Sequence, residues 1–232
     1  MPILDVFDEI VASHETRVVR QDDSLSRAID SMNNGAPVDR ILRVLSKEPK
    51  GLATTGLFLL SEANRPDREL VVAAIQHVDN DDWQARAYLA NYLLFAFRML
   101  GAKEIEAVLP LCGDPYPFIR EKMVHLIRLI GFTAVRDVVS NSANNQLKEQ
   151  IIGPLQLFSA GVERAQYLID ATESDIMEER VFASARILNW LLQGKDLPPI
   201  PSNNEDQKYI VWQMKRDARA ARIGLPRSYA SN

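Results

Sequence analysis

The sequence predicts an all-α fold, a right-handed α-solenoid of about five helix pairs with capping helices at its N- and C-terminal ends. Three observations lead there. Apolar residues recur at helical spacing and nowhere alternate over the length of a strand. Glycine and proline break the chain repeatedly, in "NNGAP" (33–37), "EPKG" (48–51), "NRPD" (64–67), "CGDPYP" (112–117), "SAG" (159–161) and "DLPPIPSNNED" (196–206). Between the breaks the chain repeats itself: Leu52, Gly56, Leu59, Leu60 and Ala63 superpose on Ala85, Leu89, Tyr92, Leu93 and Ala96 after a shift of 33 residues. A further shift of 34 reaches Ile119, Met123, Leu126, Ile127 and Ile130.

Taken in order, residues 1–35 form an N-terminal cap, 36–195 the repeats, and 196–232 a linker with a C-terminal capping helix near 207–222, all in one elongated domain. Each repeat opens with a short amphipathic helix, at 38–46, 68–77, 103–111, 133–140 and 163–170. In the first of them Val38, Ile41, Leu42 and Leu45 make one stripe. A longer second helix follows, anchored at Leu52, Ala85, Ile119, Ile151 or Val181. "GLATTGLFLLSEA" (51–63) is apolar nearly all round because an inner second helix must touch its own partner and both adjoining repeats. Gly51 and Gly56 permit close approach there, at a helix-propensity cost of roughly 1 kcal/mol for the interior Gly56.

"GDPYPFIREKMVHLIRLIG" (113–131) resembles a HEAT repeat, with an Asp-Pro turn opening the second helix and then an apolar residue followed by Arg120. "NDDWQARAYLANYLLFA" (80–96) is similar to it, with Arg86 in the matching place. The resemblance covers roughly residues 36–192. It implies structural roles for Asp82, Arg86, Asp114 and Arg120 as a ladder between successive repeats. The fourth and fifth copies lack the Asp-Pro and the arginine, so a shorter HEAT array or an armadillo-like variant stays open.

Composition sets the outer bounds. A chain of 232 residues with 47% hydrophobic and 25% charged side chains buries a full core. The single Cys112 excludes an internal disulfide and fits a reducing, cytoplasmic setting. "MPILDVFDEIVASHE" lacks the basic and long apolar regions of a secretory signal, and no run approaches a membrane span. Residues 205–232 carry six basic and three acidic side chains, a net +3, which leaves −7 on residues 1–204 of the total of −4. An acidic body opposes phosphate-driven binding and suits a basic protein partner.

No catalytic constellation is legible, and no metal or cofactor is expected. His14, His77 and His125 stand far apart without a His or Cys one turn away. "DNDD" (79–82) lacks the pattern of a calcium loop and reads as a helix cap, as do Asp175 and Glu178. Cys112 reads as a small buried hydrophobe. The second-helix surface offers more. Positions six residues past each anchor are Phe58, Asn91, His125, Leu157 and Ile187; those nine past are Ser61, Leu94, Arg128, Ala160 and Trp190. Asn91, Leu94, Glu121, His125, Arg128, Arg186 and Trp190 would then line a concave, mixed aromatic and polar strip for binding protein. In the tail, Tyr209, Ile210, Trp212 and Met214 dock while Lys215, Arg216, Arg219 and Arg222 face water or the acidic body.

Two classes of function follow as expectations. The first is a non-catalytic protein-binding module, a monomer without membrane contact. In fold type and charge it is similar to small bacterial solenoid proteins that serve as immunity partners of secreted toxins, and that resemblance implies occlusion of a basic toxin domain. The alternative is a HEAT-like DNA glycosylase or nucleic-acid binder, for which Trp83, Trp190, Asp81 and Asp82 supply residue types but the sequence pI of 5.5 does not supply a basic groove.

Overall fold

A computed structural model describes residues 6–16, 23–46, 51–63, 65–195, 197–200 and 205–222. The remaining parts of the expected N-terminal cap, of "EPKG", of the 196–206 linker and of the tail, Arg227 included, lie outside the described residues. Among the described residues thirteen α-helices follow one another: α1 (Val6–Thr16), α2 (Asp23–Asn33), α3 (Val38–Arg43), α4 (Leu52–Glu62), α5 (Arg68–Ile75), α6 (Trp83–Ala96), α7 (Ala102–Val108), α8 (Pro117–Ile130), α9 (Phe132–Asn141), α10 (Asn145–Ser159), α11 (Ala165–Ala171), α12 (Met177–Leu192) and α13 (Glu205–Arg222). No strand occurs among the described residues. The helices gather into two compact units, residues 1–100 and 101–232, so the boundary falls inside the stretch read as continuous repeats.

In unit 1 the helices alternate between two layers. α1, α3 and α5 pack in one, while α2, α4 and α6 pack in the other, with α4 and α6 sharing the broadest contact. The apolar circumference of α4 is explained by this position. Leu52, Leu57, Leu59 and Leu60 are all buried, because neighbours stand on several sides of the helix. The two glycines act differently from each other. Gly56 meets the end of α3 so closely that an added Cβ would lie 2.8 Å from the Val44 carbonyl carbon. Gly51 instead supplies a left-handed turn, φ 87°, at the start of α4. Caps set the helix starts: the Asp67 side chain accepts from the N–H groups of Glu69 and Leu70, and Asp82 from that of Gln84. Arg65 joins successive pairs by donating to the carbonyls of Met32 and Ala36.

Unit 2 departs from stacking in chain order. That order would put α10 between α8 and α12, yet α12 packs directly on both, and on α11 and α13 as well. The sequence of α12 accounts for its central place: Val181, Phe182, Ala183, Ala185, Ile187, Leu188 and Trp190 are buried and encircle the helix, which therefore needs neighbours all round. Phe158 of α10 bridges the layers, edge-on to Phe132 at 6.0 Å and to Phe182 at 6.3 Å. All five repeat anchors, Leu52, Ala85, Ile119, Ile151 and Val181, are core residues.

Candidate functional site

The C-terminal helix determines what happens to the surface that the sequence singles out. α13 lies on both α8 and α12, burying Ile210, Val211, Met214 and Ala218 from its own apolar face. Polar groups go with them. His125 Nε2 lies 3.3 Å from Glu121 Oε1, one turn back on α8, and 3.4 Å from Asp217 Oδ2 on α13. The chain of charges continues outward through Lys122, 3.3 Å from Glu121, and Arg216, 3.3 Å from Asp217. Glu121, His125 and Asp217 are only 1–2% exposed, so little water screens these contacts. Nearby, Gln207 donates to the Ser184 hydroxyl of α12 at 3.2 Å, and Gln213 donates to the Tyr209 hydroxyl at 3.0 Å. Burial, and then the charge of Glu121, push the Tyr209 phenol up from its ordinary value.

The seven residues of the predicted strip divide between the units. Asn91, half-buried, and Leu94, buried, stand on α6 in unit 1. The other five belong to unit 2, where Glu121, His125 and Trp190 are interior and only Arg128 and Arg186 keep partial exposure. Two cations lie over the Trp190 ring, Arg186 at 5.2 Å and Lys195 at 5.7 Å. Arg186 also donates through Nε to the Ala160 carbonyl at 2.9 Å, and burial lowers its pKa. In this conformation a partner would meet the arginines at the margin, not the tryptophan or the histidine.

The residues expected to form a ladder have structural work of a definite kind. Arg120, fully buried, donates through Nη1 to the carbonyls of Asp114 and Pro115, at 2.6 and 2.9 Å. Arg86 donates to the Asn80 carbonyl at 2.5 Å. Asp114 Oδ1 accepts from the Tyr116 N–H, and Asp82 Oδ2 from the Thr54 hydroxyl at 2.7 Å. Each arginine thus closes the turn that opens its own helix. Sequence reading missed a third instance, Arg180, which donates to the Ser174 carbonyl. The signal was present: Arg86, Arg120 and Arg180 each stand four residues past the helix caps Asp82, Tyr116 and Ile176. The segment before α12 lacks the Asp-Pro pair, and a register anchored on Val181 sets Phe182, not Arg180, in the place of Arg86 and Arg120.

One cleft opens in unit 1, about 410 Å³, lined by Thr54, His77, Asp79, Asn80, Asp81 and Asp82. Its carboxylates repel phosphate, Asp82 is committed to capping α6, and His77 Nε2 is 2.8 Å from the Leu45 carbonyl. No group of three or more His, Cys, Asp and Glu side chains converges as a metal site among the described residues. Cys112 is buried. No described helix is long and apolar enough to cross a membrane. No family model, curated protein or solved structure matches this chain.

Proposed function

We propose that this chain is a non-catalytic protein-binding module of HEAT-like helix pairs, a cytoplasmic inhibitor of the immunity type that acts by covering a partner's working surface. The reading rests on one observation: α13 fills the joint face of α8 and α12 but leaves Arg128 and Arg186 partly accessible beside it, side chains of a type that often dominates binding energy. The buried polar groups beneath α13 fix that helix in register, and so hold the accessible margin in one arrangement. The net −7 of residues 1–204 suits a basic partner and raises its rate of encounter.

The test is affinity for a co-purified basic partner, measured by calorimetry on the full chain and on the double variant Arg128→Ala, Arg186→Ala. These positions are half-buried, so helicity should survive the substitutions. A loss of at least about 2 kcal/mol, roughly thirtyfold, supports the reading. Unchanged affinity places the interface elsewhere.

A further inference from the structure

The outward face of α13 is a second surface, with charge opposite to that of the body. Lys208, Trp212, Lys215 and Arg219 succeed one another at spacings of four, three and four residues, so they share one side of the helix. All four are exposed, and Trp212, at 57%, is the most exposed large apolar side chain among the described residues. Arg216 lies over its ring at 5.2 Å. Lys208 pairs with the exposed Glu205 at the start of the helix, whereas no acid faces outward between Trp212 and Arg219, because Asp217 turns into the buried cluster with His125. Because the opposite side of α13 is packed on α8 and α12, the ridge is presented on a fixed support.

Beside the ridge is a cavity of about 250 Å³. Leu191, Leu197, Pro198 and Ile200 give it aliphatic walls, and Lys195 and Lys215 complete the lining. Lys215 therefore belongs to both features, and it joins a row of cations to an apolar recess.

We propose that this face docks an acidic protein segment bearing an apolar side chain, its carboxylates ranged along Lys208, Lys215, Arg216 and Arg219 and its apolar group seated in the recess near Trp212. Charge complementarity selects the acid, and the narrow aliphatic recess suits a branched or aromatic protein side chain, whereas a nucleobase would stack on the Trp212 ring and leave the recess empty. The ridge from Lys208 to Arg219 is roughly 16 Å long at 1.5 Å per residue. A longer polyanion would run beyond it onto the rest of unit 2, whose residues 101–204 carry a net −3, whereas a short acidic segment fits within it. Trp and Arg are the side chains that most often dominate binding energy at interfaces. This surface is distinct from the face beneath α13, and its test is independent of the function proposed above.

The experiment titrates the full chain into a labelled synthetic peptide of aspartates flanking a Leu-Phe pair, followed by fluorescence anisotropy. Saturable binding is expected, weakening as salt is raised and reduced at least about tenfold in Trp212→Ala/Lys215→Glu. A peptide of aspartates alone should bind at least about tenfold more weakly, which reports on the recess. Since both substituted side chains are exposed, the variant should melt with the parent; Lys208→Glu/Arg219→Glu gives the same readout should it not. No binding at millimolar protein, or equal binding by both variants and the parent, overturns the proposal. So does tighter binding of single-stranded oligothymidylate or of phosphatidylserine vesicles than of the peptide, which would make the face a nucleic-acid or a membrane site.

Discussion

Asp217 on α13 places its Oδ2 3.4 Å from Nε2 of His125 on α8, with both side chains nearly sealed from solvent. Glu121 approaches the same nitrogen, so two carboxylates converge on one imidazole inside the three-helix core of unit 2. Such a cluster contributes little net stability compared with an apolar replacement, but truncating Asp217 takes one of two carboxylates from His125 and leaves a gap among buried polar groups. Asp217→Ala should therefore cost about 1–3 kcal/mol in urea unfolding. Replacing the three together, Glu121→Leu, His125→Phe and Asp217→Leu, should recover most of that loss. A cost under about 1 kcal/mol for Asp217→Ala would show that α13 is not held there through this contact.

The arginines that close the turns give a second prediction. Arg120 Nη1 serves two carbonyls while the whole side chain is enclosed. Lysine keeps the charge but not the planar fork. Arg120→Lys should destabilise by about 1.5–3 kcal/mol per hydrogen bond lost, and Arg180→Lys should act in the same direction. Thermal melts of the two variants check this, and a neutral result at Arg120 would sink it.

Gly56 sets two effects of opposite sign against each other. Alanine is the better helix former by roughly 1 kcal/mol, yet its methyl group would collide with the main chain at Val44, which cannot rotate away as a side chain would. Overpacking of this kind costs about 1–3 kcal/mol. Gly56→Ala should therefore be destabilising in urea titrations, and a stabilised variant would mean that α3 and α4 can separate at little cost.

These residues show where the sequence is informative and where it stops. The anchors Leu52, Ala85, Ile119, Ile151 and Val181 could be found because burial on one helix face imposes a period, and all five are core. The start of α6 was legible in Asp82, whose side chain does cap, whereas the start read at Asp175 and Glu178 falls at Ile176, with no side-chain cap. Periodicity identifies which residues are buried, but not what covers them. Trp190 and His125 had the offset of an open column, and they are interior because α12 lies centrally and α13 closes over it. The inward turn of Asp217 was invisible for the same reason: a lone acid among cations reads as solvated until the partner helix is known. The charge segregation of the tail was legible, whereas the recess beside Lys215 needs the stretch from Leu191 to Ile200 to fold back against α13.

Alkaline pH offers the last prediction. Burial pushes the Cys112 thiol well above its ordinary 9.0, and the charge of Glu178 adds to the shift. Burial likewise raises the Tyr92 phenol from 10.0 to about 12. Both groups are neutral when protonated, so the folded chain retains protons that the unfolded chain releases. Stability from this source is fully present below the unfolded values and declines as pH rises through the interval up to the folded ones. Above pH 9.0 the unfolded state binds fewer protons at Cys112, and each such group should remove about 1.4 kcal/mol per pH unit. Tyr92 joins between 10.0 and about 12. Urea midpoints measured across this range should fall with rising pH. Cys112→Ala should flatten the first part of the decline and Tyr92→Phe the second. In parallel, the native chain should resist a thiol-specific disulfide reagent until urea unfolds it, because the thiolate is the reacting species. Rapid labelling of the native chain, or an unchanged slope in Cys112→Ala, would show that the thiol is not enclosed as a neutral group.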